Sequence, residues 1–536
     1  MAVVSDAAAE RNGVGTYYHD LVQHLRGRVD RAELFCPRGA ATGLQRYLTP
    51  PLPGDGSQRL WWPPAVTLWR RLAAIRPHAL IVPTPGPYGL LGLLAARRLR
   101  IPLIVGFHTH LEALTDIYWS DLFGRIARRY LMWSHRLFFR NSRVVLAVSP
   151  EMADQARRSG RPTPALHGVP VGIKDIFDTE DMPTEDGTPL HAGRTPAYDA
   201  TAVALLRQAG AIIMGKTVTT ELAVYAPGKT RNPHDPGRTP GGSSSGSAAA
   251  VAAQMLPLAL GSQTNGSIIR PASYCGVYGY KPSHGLISRY RVLKLSHLLD
   301  HIGIFARSVE DLTLAAEALM QFDDRDPAMR PRSCAGLRQT AVSAPPVPPR
   351  LAVVRTPMWD RADTDVQGGF AELQEALGER AGQVELPAST ASVWDWHRTI
   401  MEVDLAGNLS REYQRAKDRL SPVLREMIGR GRSYSAVEYN HAVSQIPLVY
   451  AQFEEVFEEY DVILTPAATG EAPTGLETTG DPVFCTPWTY CGMPAISLPL
   501  LQGSNGMPIG VQLVAPKGDD GRLLRTARWL AAAVDG

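Results

Sequence analysis

The chain has 536 residues, with 55 Lys and Arg against 52 Asp and Glu, a formal charge of +3 at neutral pH. That length provides for two to four domain-sized units. A hydrophobic content of 44% with 20% charged residues excludes disordered and fibrous classes, and nothing in the balance calls for a nucleic-acid partner. Five cysteines (Cys36, Cys275, Cys334, Cys485, Cys491) contain no CxxC pair and read as reduced thiols of a cytoplasmic protein. The opening "MAVVSDAAAERNG" lacks the basic flank and apolar run of a signal peptide.

Charge divides the chain. Residues 1–160 carry 21 arginines, no lysine and 11 acidic residues, a formal +10, which leaves −7 for residues 161–536. Such asymmetry suggests joined modules. In chain order the first part reads as strand "MAVVSD", loop "AERNGVG", helix "TYYHDLVQHLRGR", strand "HALIVP", helix "YGLLGLLAARRLR" and strand "IPLIVGFHTH". A long Arg-rich helix follows, then strand "RVVLAVS" and helix "PEMADQARRSG". Residues 79–96 are uncharged and near membrane-spanning length, but their three prolines and three glycines divide them into strand, loop and helix. Alternating strands and helices predict a parallel, Rossmann-like sheet.

The words "ERNGVGTYYHDL", "VGFHTHLEAL" and "VVLAVSPEMADQAR" resemble the N-terminal half of GT-B glycosyltransferases of family 4 type. In that family the glycine loop and strand-end histidine lie in the acceptor cleft, and a second Rossmann-like domain binds the sugar nucleotide. Nothing resembling that second domain follows here, so residues 1–160 are expected to be an incomplete segment without glycosyl transfer. His108 and His110 are read as structural strand-end residues, because no third ligand stands at metal-site spacing.

Beyond residue 162 the helix "DATAVALLRQAG" leads into the strand "AIIMGK". Gly210 to Thr217 formally matches GxxxxGK[ST], but its variable residues are the strand itself and not an open phosphate-binding loop. Gly242 to Gly246 formally matches G-x-S-x-G, yet loop precedes it and no histidine partner is convincingly placed downstream. The tract "PGGSSSGSAAAVAA" opens into an Ala-rich helical run ending near Pro257, and a second glycine–serine loop, "SQTNGS", follows. A linker has no reason to be followed by a second loop of the same kind.

Lys174 in "GVPVGIKD", Ser243 in "GGSSSGS" and Ser267 in "SQTNGSIIRPASYCG" together resemble the amidase signature family. So do "GKTVTTELAV", "YGYKPSHGLIS", "VILTPA" and "CTPWTYCGMPAISLPL". The resemblance runs from about Pro164 to the C-terminus and implies an α/β/α amidase domain, residues 161–536, with a mixed central sheet. A Pro-rich excursion near "RDPAMRPRSCAGLRQTAVSAPPVPPR" is expected between two lobes. The resemblance implies a Ser–cisSer–Lys triad that hydrolyses an amide to carboxylate and ammonia or amine, with no metal or cofactor. In it Ser267 is the nucleophile, Ser243 the relay held in a cis peptide, and Lys174 the base. Thr264, Asn265 and Gly266 would form the oxyanion hole, and Gly242 would line the substrate site.

The chemistry is coherent. A hydroxyl needs a base within hydrogen-bond reach, and lysine serves only when burial keeps it neutral. Against the family's common "TDTGGSIRIPA", Asn265 stands for a glycine, Gln263 for an acidic residue, and Arg270 falls one position later. A left-handed backbone would accommodate Asn265, and Arg270 is expected either to bind a substrate carboxylate or to form a structural salt bridge. The expected partner is a small-molecule amide, with a homodimer compatible with the family and no membrane span. The alternatives are a glutamine-dependent amidotransferase A-type subunit, and a glycosyltransferase-like binding module with an inactive amidase.

Overall fold

The computed structural model describes residues 1–7, 13–25, 29, 31–37, 51–52, 55–59, 61–107, 122–147, 164–334 and 336–535. It falls into two units, Met1–Gly168 and Val169–Gly536.

The short apolar runs of the first unit become β1 (Ala2–Val4), β2 (Glu33–Phe35), β3 (Pro51–Leu52), β4 (Asp55–Arg59), β5 (Leu80–Val82), β6 (Leu103–Phe107) and β7 (Val144–Ala147). β3 and β4 pair with each other, and the other five form a parallel sheet in the order β2-β1-β5-β6-β7. Ala2, Val4, Leu80, Val82, Leu103 and Val105 bury one sheet face against Leu72, Leu93 and Phe138 of the intervening helices. This is the Rossmann-like arrangement that strand–helix alternation predicts.

The uncharged run at 79–96 divides into β5 and the helix Pro87–Leu99. The Asp6 carboxylate caps that helix, accepting the Tyr88 and Gly89 N–H groups at 2.7 and 3.1 Å. Among the described residues no helix is long and apolar enough to cross a membrane. His108, His110 and the expected helix "PEMADQARRSG" lie outside the described residues.

The second unit is built on one ten-stranded sheet. Its strands are β8 (Pro170–Lys174), β9 (Ile212–Thr217), β10 (Leu258–Gln263), β11 (Tyr278–Lys281), β12 (His301–Ala306), β13 (Leu351–Arg355), β14 (Ala381–Glu385), β15 (Val462–Pro466), β16 (Ala495–Gln502) and β17 (Pro508–Val514). Their order is β14-β13-β15-β17-β16-β11-β12-β10-β8-β9. β8, β9 and β10 run parallel, as do β13, β14 and β15, while the central pairs are antiparallel. The mixed sheet matches the expected class.

The Pro-rich excursion lies between the helix Val309–Leu319 and β13 and carries a short helix, Leu337–Val342. The two lobes are halves of this single sheet, joined where β11 pairs with β16. In the GxxxxGK[ST] match three of the four variable residues, Ile212, Ile213 and Met214, lie in β9, and the Lys216 ammonium is spent on the Phe177 carbonyl, the Thr184 hydroxyl and Asp175.

Candidate active site

Three segments converge at the C-terminal ends of the parallel strands β8 and β10. β8 ends on Lys174, β10 ends just before the loop Thr264–Ser267, and the glycine–serine tract runs into the helix Ser245–Ala252. The β8–β10 register, with Ile173 opposite Leu260, brings the lysine beside the end of β10.

Two glycines shape the tract. Gly241 is left-handed (φ +79°), and a Cβ there would lie 2.8 Å from the Pro271 Cα. A Cβ on Gly242 would lie 2.8 Å from the Thr479 methyl and 3.0 Å from the Thr220 methyl. Only glycine lets the backbone lie this close to its walls. The Gly242–Ser243 peptide bond is cis.

Lys174 is fully buried, and its Nζ donates to Ser243 Oγ at 2.7 Å and to Ser262 Oγ at 2.8 Å. Among the described residues no carboxylate lies within ion-pair distance of it. Burial therefore drives its pKa well below the ordinary 10.5, with Asp300 opposing from farther off. A buried amine held by two hydroxyls, with no paired carboxylate among the described residues, favours its neutral form.

Ser267, 8% exposed, stands after the Thr264–Gly266 loop, and its hydroxyl has no hydrogen-bond partner among the described residues. The backbone N–H groups of Asn265, Gly266 and Ser267 likewise have no acceptor among the described residues. Successive unpaired N–H groups form a concave, anion-accepting surface.

Gln263, within the motif, and Thr489 and His397, far from it in sequence, hold this loop. Gln263 Oε1 accepts the Ile268 and Ile269 N–H groups at 2.8 and 3.0 Å, capping the helix Ile269–Cys275. Its Nε2 donates to Thr489, which in turn donates to the Asn265 carbonyl. Gln263 thus supplies an acceptor as an acidic residue would, and adds a donor without a buried charge. His397 Nε2 donates to the Thr264 carbonyl at 2.9 Å, and burial lowers its pKa to about 4, so the ring is neutral.

Asn265 is not left-handed; positive φ at non-glycine residues occurs elsewhere. Its side chain anchors instead, donating to the Tyr225 hydroxyl and accepting from Thr486.

Arg270 is 1% exposed and forms no salt bridge among the described residues, which rules out the structural ion pair. Its Nη2 donates to the Gly242 carbonyl at 2.8 Å and to Thr479 at 3.1 Å, while Nε and Nη1 have no partner.

The structure thus brings Lys174, Ser243, Gly242 and Arg270 into one connected group. Ser267 and its loop stand at the adjoining strand end.

The Amidase family model matches residues 143–524, well over half of the chain. The chain belongs to the amidase family. The Glycosyltransferase Family 4 model matches residues 11–175, in line with the resemblance of the first part. The A-type subunit of glutamyl-tRNA(Gln) amidotransferase from Rhodopirellula baltica is 33% identical over 445 residues, covering 72% of this chain and 87% of that one. The Thermus thermophilus counterpart is 35% identical over 408 residues, covering 68% and 84%. Among solved structures, 6-aminohexanoate cyclic dimer hydrolase with bound substrate superposes with a TM-score of 0.62 at 28% identity, covering 69% of this chain and 86% of that one. These likenesses identify the second unit as an amidase enzyme.

Proposed function

We propose that this amidase hydrolyses a small-molecule amide through an acyl-enzyme on Ser267, with Ser243 and Lys174 as proton relay and base. The observation that carries the reading is the buried Lys174, bonded to Ser243 at 2.7 Å and free of a paired carboxylate. Ser267 Oγ attacks the carbonyl carbon as its proton passes to Ser243 and the Ser243 proton to Lys174. The oxyanion is received by backbone N–H groups of the Thr264, Asn265, Gly266 and Ser267 loop; one such donor is worth roughly 3 kcal/mol in the transition state.

Collapse breaks the C–N bond, and the leaving nitrogen takes a proton through Ser243 from the Lys174 ammonium. Ammonia or an amine departs. Water then attacks the ester, giving its proton to the same relay. The tetrahedral intermediate releases the carboxylic acid, and Ser267 and Lys174 return to their starting forms.

The amidotransferase relatives favour a second reading, in which the same chemistry acts on glutamine for a partner protein. Ammonia release from simple amides by the full chain alone supports the hydrolase. Release only when a partner protein is added supports the amidotransferase reading, and release in neither case overturns both.

We further propose that the unpartnered nitrogens of Arg270 favour substrates bearing a carboxylate, since guanidinium pairs with one bidentately. Arg270→Ala should then raise KM more for acidic amides than for neutral ones. An equal change for both would contradict it. Residues 1–160 are proposed to be a glycosyltransferase-like segment without transferase activity, and the whole chain to work in the cytoplasm.

A further inference from the structure

Ser262, Thr264 and Asp300 together line a cavity of about 150 Å³. Asp300 precedes β12, whose pairing with β10 sets Gln263 opposite His301. One carboxylate oxygen accepts the Thr264 hydroxyl at 2.7 Å; the other accepts the Leu295 and Ser296 N–H groups at 2.9 and 3.0 Å. Burial raises the Asp300 pKa, while these three hydrogen bonds and the nearby Arg289 guanidinium favour the carboxylate. Ser262, the second partner of Lys174, lies two residues from Thr264, so one short run of chain connects the base to this carboxylate.

We propose that Asp300 is a positioning residue for amide hydrolysis, its charge setting the basicity of Lys174 while its bond to Thr264 fixes the loop that receives the oxyanion. The inference rests on the Ser267–Ser243–Lys174 reading. The two roles share one group because Lys174 must be neutral at rest yet accept a proton during attack. Burial lowers its proton affinity, and a carboxylate beyond ion-pair distance acts in the opposite direction.

The other charged groups around this cavity are already engaged or lie toward its outer wall. Arg289 is paired with Asp326 at 2.8 Å and its Nη1 donates to the His297 carbonyl. Arg325 is paired with Asp323 at 2.7 Å. Arg291 stacks over Tyr198 and Tyr290, and Lys294 and His297 complete the wall. His301 and the His284 ring packed against it are held neutral by burial. Next to the base on β8, Asp175 is taken up by Lys216 at 3.4 Å.

The test is the pH dependence of kcat/KM for a neutral amide, measured on the full chain. Asp300→Asn keeps the size of the side chain and should move the acid limb to lower pH, because removing the negative charge makes Lys174 easier to deprotonate. Thr264→Val removes the hydroxyl bond and keeps the charge. It should lower kcat by about 10- to 100-fold, the cost of a small displacement of reacting groups, with the limb unmoved.

An unmoved limb in Asp300→Asn, or the same shift in both variants, overturns the inference. Should Asp300→Asn not fold, Asp300→Glu retains the charge and must keep the wild-type limb while kcat falls; a displaced limb there overturns it. Turnover that survives Lys174→Met in the same assay overturns the base assignment itself, and the inference with it.

Discussion

Ser267→Ala is expected to lower kcat for amide hydrolysis by about 10⁴-fold or more while leaving the fold intact. Losing the nucleophile of a relay costs nearly as much as losing the whole relay, because its members act as one unit. The residue is small, 8% exposed, and its hydroxyl has no protein partner among the described residues. Removing it therefore orphans no buried group, and the melting temperature should stay near that of wild type. KM should change little, since the hydroxyl contributes to the transition state more than to substrate binding. Substantial residual turnover, matched to wild type in pH profile, would show that another residue attacks.

Lys174→Met should also remove catalysis, by about 10²- to 10⁴-fold, the usual range for a positioned general base. It should leave a second, thermodynamic signature. Burial holds the native Lys174 pKa well below the 10.5 of an exposed lysine, so between those two values the unfolded chain binds a proton that the native one does not. Stability then rises with pH across that window. The wild-type melting temperature, relative to that of Lys174→Met, should climb as the pH is raised toward 10.5 and level off above it. A constant difference across that range would mean that Lys174 is charged in the folded protein, which is incompatible with its acting as a base.

The residues of the proposed triad are legible in the sequence because each sits in a short motif whose glycines and apolar neighbours are local. The helix following Ser243 could be read from the chain. What surrounds the triad could not. Ser262 reaches Lys174 through the β8–β10 pairing, and Asp300 reaches Thr264 because β12 runs antiparallel to β10. His397 and Thr489 meet the oxyanion loop from helices more than a hundred residues away.

Two side chains are held by partners that the linear order of residues does not show. Asn265 suggested a left-handed turn from its residue type alone, whereas its amide is held by Tyr225 and Thr486 from distant segments. Arg270 suggested a choice between a substrate and an acidic partner. Its first acceptor is the Gly242 carbonyl, which only the packing of the tract against the helix Ile269–Cys275 places there.

The split of the sheet was likewise hidden. A proline-rich stretch signals a boundary between segments, but cannot tell whether their strands share one sheet. Here β11 and β16, some two hundred residues apart, pair at its centre.

The central claim is covalent catalysis at Ser267, and trapping the intermediate tests it most directly. The full chain is mixed with an activated amide or ester substrate, quenched in acid within the first turnovers, and its mass and peptide map are measured. A mass increase equal to the acyl group, on the peptide containing Ser267 and missing from Ser267→Ala, is the result predicted. An acyl group on another residue, or turnover with no adduct in either protein, would contradict the mechanism.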